Sequence, residues 1–230
     1  LDVIRAAAPR CKVMALIKAN AYGHGMVTVA QHLTDVDAFA VARVPEAIEL
    51  RNNGVTAPIV LLAGVINATE LAAAVEWGFE PVVHCREQVE LLQAAQTGSV
   101  TIWVKVDTGM NRLGFSTEQT PDVLAAVESA SSVGEVRLMT HFSSADELHS
   151  STTADQMRRF KRVAAGFQGG VSVGNTPAAL GWSAVREARQ ELGFLGDNWI
   201  RPGIALFGIS PFEDQNGADL GLKPVMHFEA

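Results

Sequence analysis

The 230-residue sequence predicts an α/β fold, a closed (β/α)8 TIM-type barrel. Short apolar runs alternate with amphipathic segments about eight times, and the runs are apolar at nearly every position, which is typical of parallel strands covered on both faces. No G-x-G-x-x-G follows the first run, which disfavours an open doubly wound sheet, the alternative fold. Eight such units match a barrel, which commonly takes about 250 residues.

The apolar runs predict eight strands, each bounded by glycine, proline or polar residues. They cover residues 11–18, 36–41, 58–63, 80–84, 100–106, 136–141, 171–174 and 198–201. Helical spacing of apolar residues predicts the intervening helices. These cover residues 1–8, 27–33, 43–52, 68–77, 87–96, 121–129, 154–165 and a segment from 178 onward.

The end of the chain differs in character from the barrel. Residues 210–221 are polar and loop-like, and residues 222–230 are predicted to begin a strand. A strand without a sheet to join would leave an unpaired edge. We therefore expect a barrel domain over 1–209, followed at 210–230 by a linker and the first segment of a carboxyl-terminal β domain, before which the sequence is truncated.

Composition excludes several classes of function. The formal net charge is −7 and no dense basic run occurs, so nucleic acid is not an expected partner. The two cysteines, Cys11 and Cys85, are far apart and no apolar signal segment leads the chain, which indicates a reducing cytoplasm. The apolar runs are too short to cross a bilayer, so no membrane partner is expected.

Lys18 ends the first apolar run and is followed by a loop of small residues and glycine. An amine at the end of a buried strand is partly desolvated, which lowers its pKa and makes it a nucleophile for carbonyls such as the aldehyde of pyridoxal phosphate. The alternative is that Lys18 extends its charged end into water and has no catalytic role.

Other polar residues also follow predicted strands, where the functional groups of such barrels lie. They are Lys105, Asp107, Arg112, His141, Asn175, Thr176 and Arg201. Gly203, after the last strand, is expected to offer backbone N–H groups to a phosphate. Two alternatives stay open: Lys105 and Asp107 form a local ion pair, and Asn175 and Thr176 simply cap a helix.

Two other kinds of site lack support in the sequence. His24 and His32, like His141 and His149, are eight residues apart, and neither H-x-x-x-H nor C-x-x-C occurs, so no metal site is predicted. No G-x-S-x-G is present to indicate a serine hydrolase.

Four motifs together resemble the amino-terminal barrel of bacterial alanine racemases, which are pyridoxal-phosphate enzymes. The motifs are K-A-N-A-Y-G-H-G at 18–25, K-V-D-T-G-M-N-R-L-G at 105–114, T-H-F-S-S-A-D-E at 140–147 and R-P-G-I-A-L-F-G at 201–208. The resemblance runs in order from about residue 11 to residue 230. It implies interconversion of L- and D-alanine for peptidoglycan, in a homodimeric enzyme.

The resemblance also implies roles for individual residues. Lys18 would form the aldimine with pyridoxal phosphate and act as the base on the D-alanine side. Arg112 would bind the substrate carboxylate, and Lys105, carbamylated in many relatives, would orient Arg112. The implied cofactor contacts are Lys18, Tyr22, Leu62, Arg112, His141, Asn175, Thr176, Arg201, Gly203 and Ile204.

Two departures from the family pattern are visible. Thr176 stands where relatives usually have serine, and it keeps the hydroxyl. Inversion at Cα needs two acid/base groups on opposite faces, and the family's second group is a tyrosine in the carboxyl-terminal domain of the partner subunit. The only tyrosine here is Tyr22. The alternatives are therefore a single-domain pyridoxal-phosphate-binding protein without racemase activity, or a non-catalytic barrel.

Overall fold

The computed structural model describes residues 1–96 and 98–226 and contains a closed barrel of eight parallel strands in the order β1 to β8. The last strand pairs with the first, with Lys12 opposite Trp199 and Val13 opposite Ile200. The closure confirms the predicted barrel and excludes the open sheet. Parallel strands with helical crossovers bury both faces of the sheet, as the continuous apolar runs indicated.

The strands and helices alternate along the chain. The strands are β1 Lys12–Leu16, β2 Ala38–Val41, β3 Ile59–Leu61, β4 Phe79–Val83, β5 Val100–Lys105, β6 Val133–Met139, β7 Val171–Asn175 and β8 Asn198–Arg201. The helices are α1 Asp2–Ala7, α2 Lys18–Tyr22, α3 Met26–His32, α4 Val44–Asn52, α5 Ala68–Trp77, α6 Arg86–Ala94, α7 Thr120–Glu128, α8 Thr152–Ala164, α9 Thr176–Gly181, α10 Ser183–Arg186 and α11 Ala188–Leu192. Two 3-10 turns follow, at Ile204–Phe207 and Ala218–Leu220.

Two apolar layers hold the barrel together. The larger layer lies between the strands and the surrounding helices and includes Ile102 and Val104 of β5. The smaller layer fills the barrel and includes Trp103 of the same strand, because successive side chains point to opposite faces. Burial of each large apolar side chain contributes about 1.5–3 kcal/mol before the entropy of ordering is counted.

The amino end of the barrel is closed by a cluster of paired charges and indole rings, here called the amino-end cluster. The Arg137 guanidinium contacts the Glu80 carboxylate at 3.0 Å and the Glu135 carboxylate at 2.8 Å. Its central carbon lies 5.4 Å from the ring centroids of Trp103 and Trp199, and the Trp103 N–H donates to Glu80 at 2.8 Å. Burial raises the pKa of Glu80, and Arg137 and Trp103 oppose that rise.

Several predicted boundaries differ from the structure. The first strand ends at Leu16, so Lys18 begins a helical turn. The helix expected from 178 starts at Thr176 and is divided into three short helices. The strand expected over 222–230 was wrong as far as the structure describes it: residues 222–226 form no strand, and 227–230 lie outside the described residues. The division at residue 209 stays a prediction.

Candidate active site

Lys18 opens a turn of the opposite hand to an ordinary helix. Residues 19 to 22 have φ values of 52° to 53°, although none of them is glycine. A left-handed conformation costs roughly 1–2 kcal/mol per residue, so surrounding contacts must hold it. The Ala21 N–H donates to the Ile17 carbonyl at 2.8 Å, and the Met26 N–H donates to the Asn20 side chain at 2.8 Å. We call residues 18–22 the left-handed turn.

A carboxylate from the next helical unit reaches the same turn. Glu46, in the first turn of α4, accepts the Ala19 N–H on Oε1 at 2.8 Å. Its other oxygen accepts N–H groups from Ala42 at 2.6 Å and Arg43 at 3.1 Å. The residue after Lys18 is thereby joined to the amino terminus of α4.

The far end of the left-handed turn packs on the last barrel unit. The Tyr22 ring meets Phe207 edge-on at 5.4 Å. Burial raises the pKa of the Tyr22 phenol, so it stays protonated and can donate a hydrogen bond. A Cβ on Gly203 would lie 2.8 Å from Tyr22 Oη, and the Gly203 N–H donates to Thr176 Oγ1 at 2.8 Å. Two hydroxyls and a backbone amide therefore converge at one point, here called the hydroxyl cradle.

Arg201 lies inside the barrel and is 2% exposed. Its guanidinium donates to Ser172 Oγ and to the Thr140 carbonyl, each at 2.5 Å, and its Nη2 lies 3.4 Å from His141 Nδ1. Burial, followed by repulsion from Arg201, lowers the pKa of His141 to about 2. His141 is therefore neutral, and its Nδ1 can accept a hydrogen from the guanidinium.

Positive charge accumulates at the mouth of the barrel. Burial and repulsion from Arg201, Arg112 and Lys18 lower the pKa of Lys105 to about 8, and Asp107 opposes the decrease. Within the described residues, no carboxylate oxygen lies within 4.0 Å of a side-chain nitrogen of these four cationic residues. A partly desolvated group of cations of this kind favours an anionic ligand.

Asp107 does not form the ion pair with Lys105 that the sequence left open. One oxygen of its carboxylate accepts N–H groups from Gly109 at 2.9 Å, Met110 at 3.0 Å and Asn111 at 3.1 Å. Asp107 therefore shapes the loop that leads to Arg112, whose side chain is exposed.

Comparison with known proteins gives the family. The family model described as "Alanine racemase, N-terminal domain" matches residues 1–211. The chain belongs to the alanine racemase family. It is 42% identical over 228 residues to an alanine racemase of Shewanella loihica and 40% identical over 228 residues to one of Vibrio cholerae. These matches cover 98% of this chain and 61% and 60% of the two relatives, so the chain spans about three fifths of their length.

Solved structures agree with the sequence matches. The biosynthetic alanine racemase of Pseudomonas aeruginosa aligns with a TM-score of 0.86 and 36% identity, over 97% of this chain and 60% of that one. The alanine racemase of Acinetobacter baumannii aligns with a TM-score of 0.82 and 32% identity, over 97% and 64% of the two chains. The family resemblance predicted from the four motifs is confirmed.

Most of the residues that the family resemblance implied meet at the mouth, but two have local structural contacts. Asn175 caps α9, because its Oδ1 accepts the Ala178 N–H at 3.2 Å. Leu62 packs against the apolar layer inside the barrel and is half-buried. The Thr176 hydroxyl accepts the Gly203 N–H of the last barrel unit, so Thr176 does more than cap a helix.

Two residues of the site escaped the sequence analysis. Glu46 stands 27 positions from Ala19, so no local sequence pattern links the two. Ser172 lies in the middle of β7 and donates to the Trp199 carbonyl at 2.9 Å while it accepts from Arg201. An inward-facing serine next to a buried arginine is the signal that could have identified it.

The described parts of the chain lack two further classes of feature. No group of three or more histidine, cysteine, aspartate or glutamate side chains there could hold a metal ion. No helix there has both the length and the apolar character needed to span a bilayer.

Proposed function

We propose that this chain is the cofactor-binding barrel of an alanine racemase, which interconverts L- and D-alanine with pyridoxal phosphate linked to Lys18. The observation that carries the proposal is the group of four cations at the mouth, which adjoins the hydroxyl cradle and has no carboxylate partner among the described residues. When bound, the cofactor withdraws electrons from the amino acid and makes its Cα proton acidic.

The chemistry of the hydroxyl cradle fits the phosphate. Hydroxyls of Tyr22 and Thr176 and the backbone N–H groups of Gly203 and Ile204 would be its neutral donors, with Asn175 beside them. The Gly203 N–H, which donates to Thr176 Oγ1 in the structure, would turn to the phosphate. The lack of a side chain on Gly203 keeps the space beside Tyr22 Oη open. These groups would hold the phosphate, while Leu62 would supply an apolar contact.

Arg201 and His141 would contact the ring. A guanidinium does not readily give up its proton, and this one has three fixed neutral partners, so Arg201 would donate to the pyridine nitrogen without protonating it. His141 is uncharged and would lie beside the ring. The pair would orient the cofactor and limit its electron demand.

Arg112 would bind the substrate carboxylate and the phenolic oxygen of the cofactor. Lys105 has a lowered pKa, so a useful fraction of its amine is neutral near neutral pH and can attack carbon dioxide. The amine nitrogen would bond to the carbon and release one proton, leaving an anionic carbamate. That carbamate would pair with Arg112 and orient it.

Racemisation needs a proton removed from one face of Cα and another delivered to the opposite face. Lys18 Nζ would take and return the proton on the D-alanine side. The only tyrosine of the sequence is Tyr22, which belongs to the cradle. We assign the proton transfer on the opposite face to a tyrosine outside this sequence, from the partner subunit of a homodimer. The homodimer would supply D-alanine for peptidoglycan in the cytoplasm. The free thiols of Cys11 and Cys85 support that reducing compartment.

Reduction with borohydride in the presence of pyridoxal phosphate, followed by peptide mapping, tests the assignment. We expect the pyridoxyl label on Lys18 and its loss in Lys18→Ala. Lys12→Ala, which changes the lysine at the start of β1, is the matched control and should retain the label. Labelling of another lysine in the unmodified chain would falsify the proposal.

The second candidate is a pyridoxal-phosphate-binding protein without racemase activity, and the single tyrosine favours it. Incubation with D-alanine in deuterated water separates the two. Exchange of the Cα proton without L-alanine indicates that Lys18 acts on one face and that this chain lacks the second group. Formation of L-alanine would contradict the assignment of that group to another polypeptide, and no exchange at all would favour the second candidate.

A further inference from the structure

Glu46 joins two segments that are 27 residues apart. One carboxylate oxygen accepts the Ala42 and Arg43 N–H groups at the start of α4, and the other accepts the Ala19 N–H directly after Lys18. Both oxygens are therefore occupied by backbone donors. Glu46 is half-buried, so water does not fully replace these contacts.

Glu70 provides an internal comparison. It is the third residue of α5, as Glu46 is the third residue of α4, and it too accepts the N–H of the residue that precedes its helix cap, Ile66, at 3.0 Å. Its hydrogen bonds stay within the amino terminus of its own helix. The Ala19 contact of Glu46 thus exceeds what helix capping requires.

The hydrogen bond between the Ala19 N–H and Glu46 lies at a strained part of the backbone. Residues 19 to 22 all have positive φ without a glycine among them, and this turn separates Lys18 from Tyr22. Asn20 secures the far side of the turn through the Met26 N–H, and Phe207 packs against Tyr22. Glu46 secures the near side, where the chain leaves Lys18.

We propose that Glu46 is a positioning residue for Lys18: its carboxylate holds the left-handed turn so that the Lys18 amine meets the cofactor aldehyde. This inference rests on the proposed function. Glu46 touches neither reacting atom, and it acts through the Ala19 N–H. A carboxylate is needed because an amide has one acceptor oxygen. That oxygen could accept either the Ala19 N–H or the N–H groups of Ala42 and Arg43, but not both sets.

The test compares Glu46→Gln with Glu70→Gln as the matched control. Amide hydrogen exchange in the cofactor-free chain reports on the turn, and the rate of borohydride-trapped labelling of Lys18 reports on capture of pyridoxal phosphate. For Glu46→Gln we expect at least tenfold faster exchange at Ala19 and at least tenfold slower labelling of Lys18. Glu70→Gln should change neither rate, and thermal unfolding of both variants should show the folded barrel.

Binding of pyridoxamine phosphate, which has no aldehyde, is the further readout. It should weaken less than twofold in Glu46→Gln, because the hydroxyl cradle is left in place. Labelling of Lys18 at the parental rate in Glu46→Gln overturns the inference, whether or not exchange at Ala19 changes, and so does equal slowing in both variants. If the unmodified chain gains no label on Lys18, the proposed function fails, while the exchange result still reports whether Glu46 holds the turn.

Discussion

At the amino end of the barrel, the guanidinium of Arg137 lies between the carboxylates of Glu80 and Glu135. At the carboxyl end, the partners of the Arg201 guanidinium in the described part of the chain are all neutral: a hydroxyl, a carbonyl and an imidazole. Both arginines are largely buried within the same barrel interior. The first has its charge balanced by the protein, whereas the second leaves its charge available to a ligand.

The difference shows how one interior serves two purposes. In barrels of this class the amino face contributes mainly to stability and the carboxyl face to function. Changes to the amino-end cluster should therefore alter the free energy of unfolding and leave cofactor capture intact. Changes at the mouth should alter ligand binding, and removal of its unbalanced charge should stabilise the barrel.

Arg137→Leu should give the largest change in stability. It leaves the Glu80 carboxylate buried without its cation, which typically costs about 3–5 kcal/mol. Urea denaturation of the variant measures the loss, and labelling of Lys18 by pyridoxal phosphate at low denaturant should be retained. Removal of the partner as well, in Glu80→Gln/Arg137→Leu, should recover part of the stability. A loss below about 1 kcal/mol in Arg137→Leu would contradict the role of the cluster.

At the mouth, we expect the free energy of unfolding to depend on pH through Lys105. Its pKa is 10.5 in the unfolded chain and about 8 in the folded chain, so between these values the unfolded chain binds the extra proton. The free energy of unfolding should therefore rise with pH across that window, by on the order of 3 kcal/mol from this group. Lys105→Met should remove the rise, and Lys161→Met, on the exposed face of α8, should keep it. Urea denaturation across the window in buffer free of carbon dioxide, where Lys105 keeps its free amine, measures both, and an unchanged slope in Lys105→Met would refute the assignment.

Gly203→Ala should weaken binding of pyridoxal phosphate about tenfold, or about 1.4 kcal/mol. The added Cβ would lie 2.8 Å from Tyr22 Oη, so the phenol must move away from the hydroxyl cradle. Spectroscopic titration measures the affinity. The losses of affinity in Gly203→Ala and Tyr22→Phe should be non-additive in the double variant, because the added Cβ then has no phenol hydroxyl to displace. Strict additivity would show that Gly203 and Tyr22 act separately.

Asp197→Asn should have the smallest effect. The Lys12 and Asp197 side chains are 2.6 Å apart but 43% and 55% exposed, and exposed pairs contribute roughly 0.2–1 kcal/mol. Urea denaturation at low and high salt should show a small loss that salt reduces. A loss of stability as large as that of Arg137→Leu would mean that solvent exposure does not determine how much the Lys12–Asp197 and Arg137–Glu80 pairs contribute.

The barrel could be predicted because its signal is local. Each strand is a short apolar run such as the one before Lys18, and each run is closed by a polar or glycine-rich segment. Lys18, His141 and Arg201 could be placed at one mouth because the carboxyl ends of parallel strands meet there. Thr176 and Gly203 could be placed near each other because they follow the last two predicted strands, whereas Tyr22 was expected there only from the family resemblance.

Other parts of the site depend on contacts that no local pattern records. Asp107 could have paired with Lys105 by spacing alone, but three backbone N–H groups compete for its carboxylate. The Glu46 contact links distant segments, so spacing along the chain does not reveal it. The left-handed turn is also invisible in the sequence, because alanine and tyrosine rarely adopt positive φ and nothing in their order signals it.

The hand of the backbone at residues 19–22 is the one that a chain of D-amino acids would prefer. A synthetic protein with D-alanine at positions 19 and 21 should therefore fold with less backbone strain in the turn after Lys18 than the protein with L-alanine there. D-Alanine at these two positions would thus remove backbone strain that L-alanine imposes on residues 19–22.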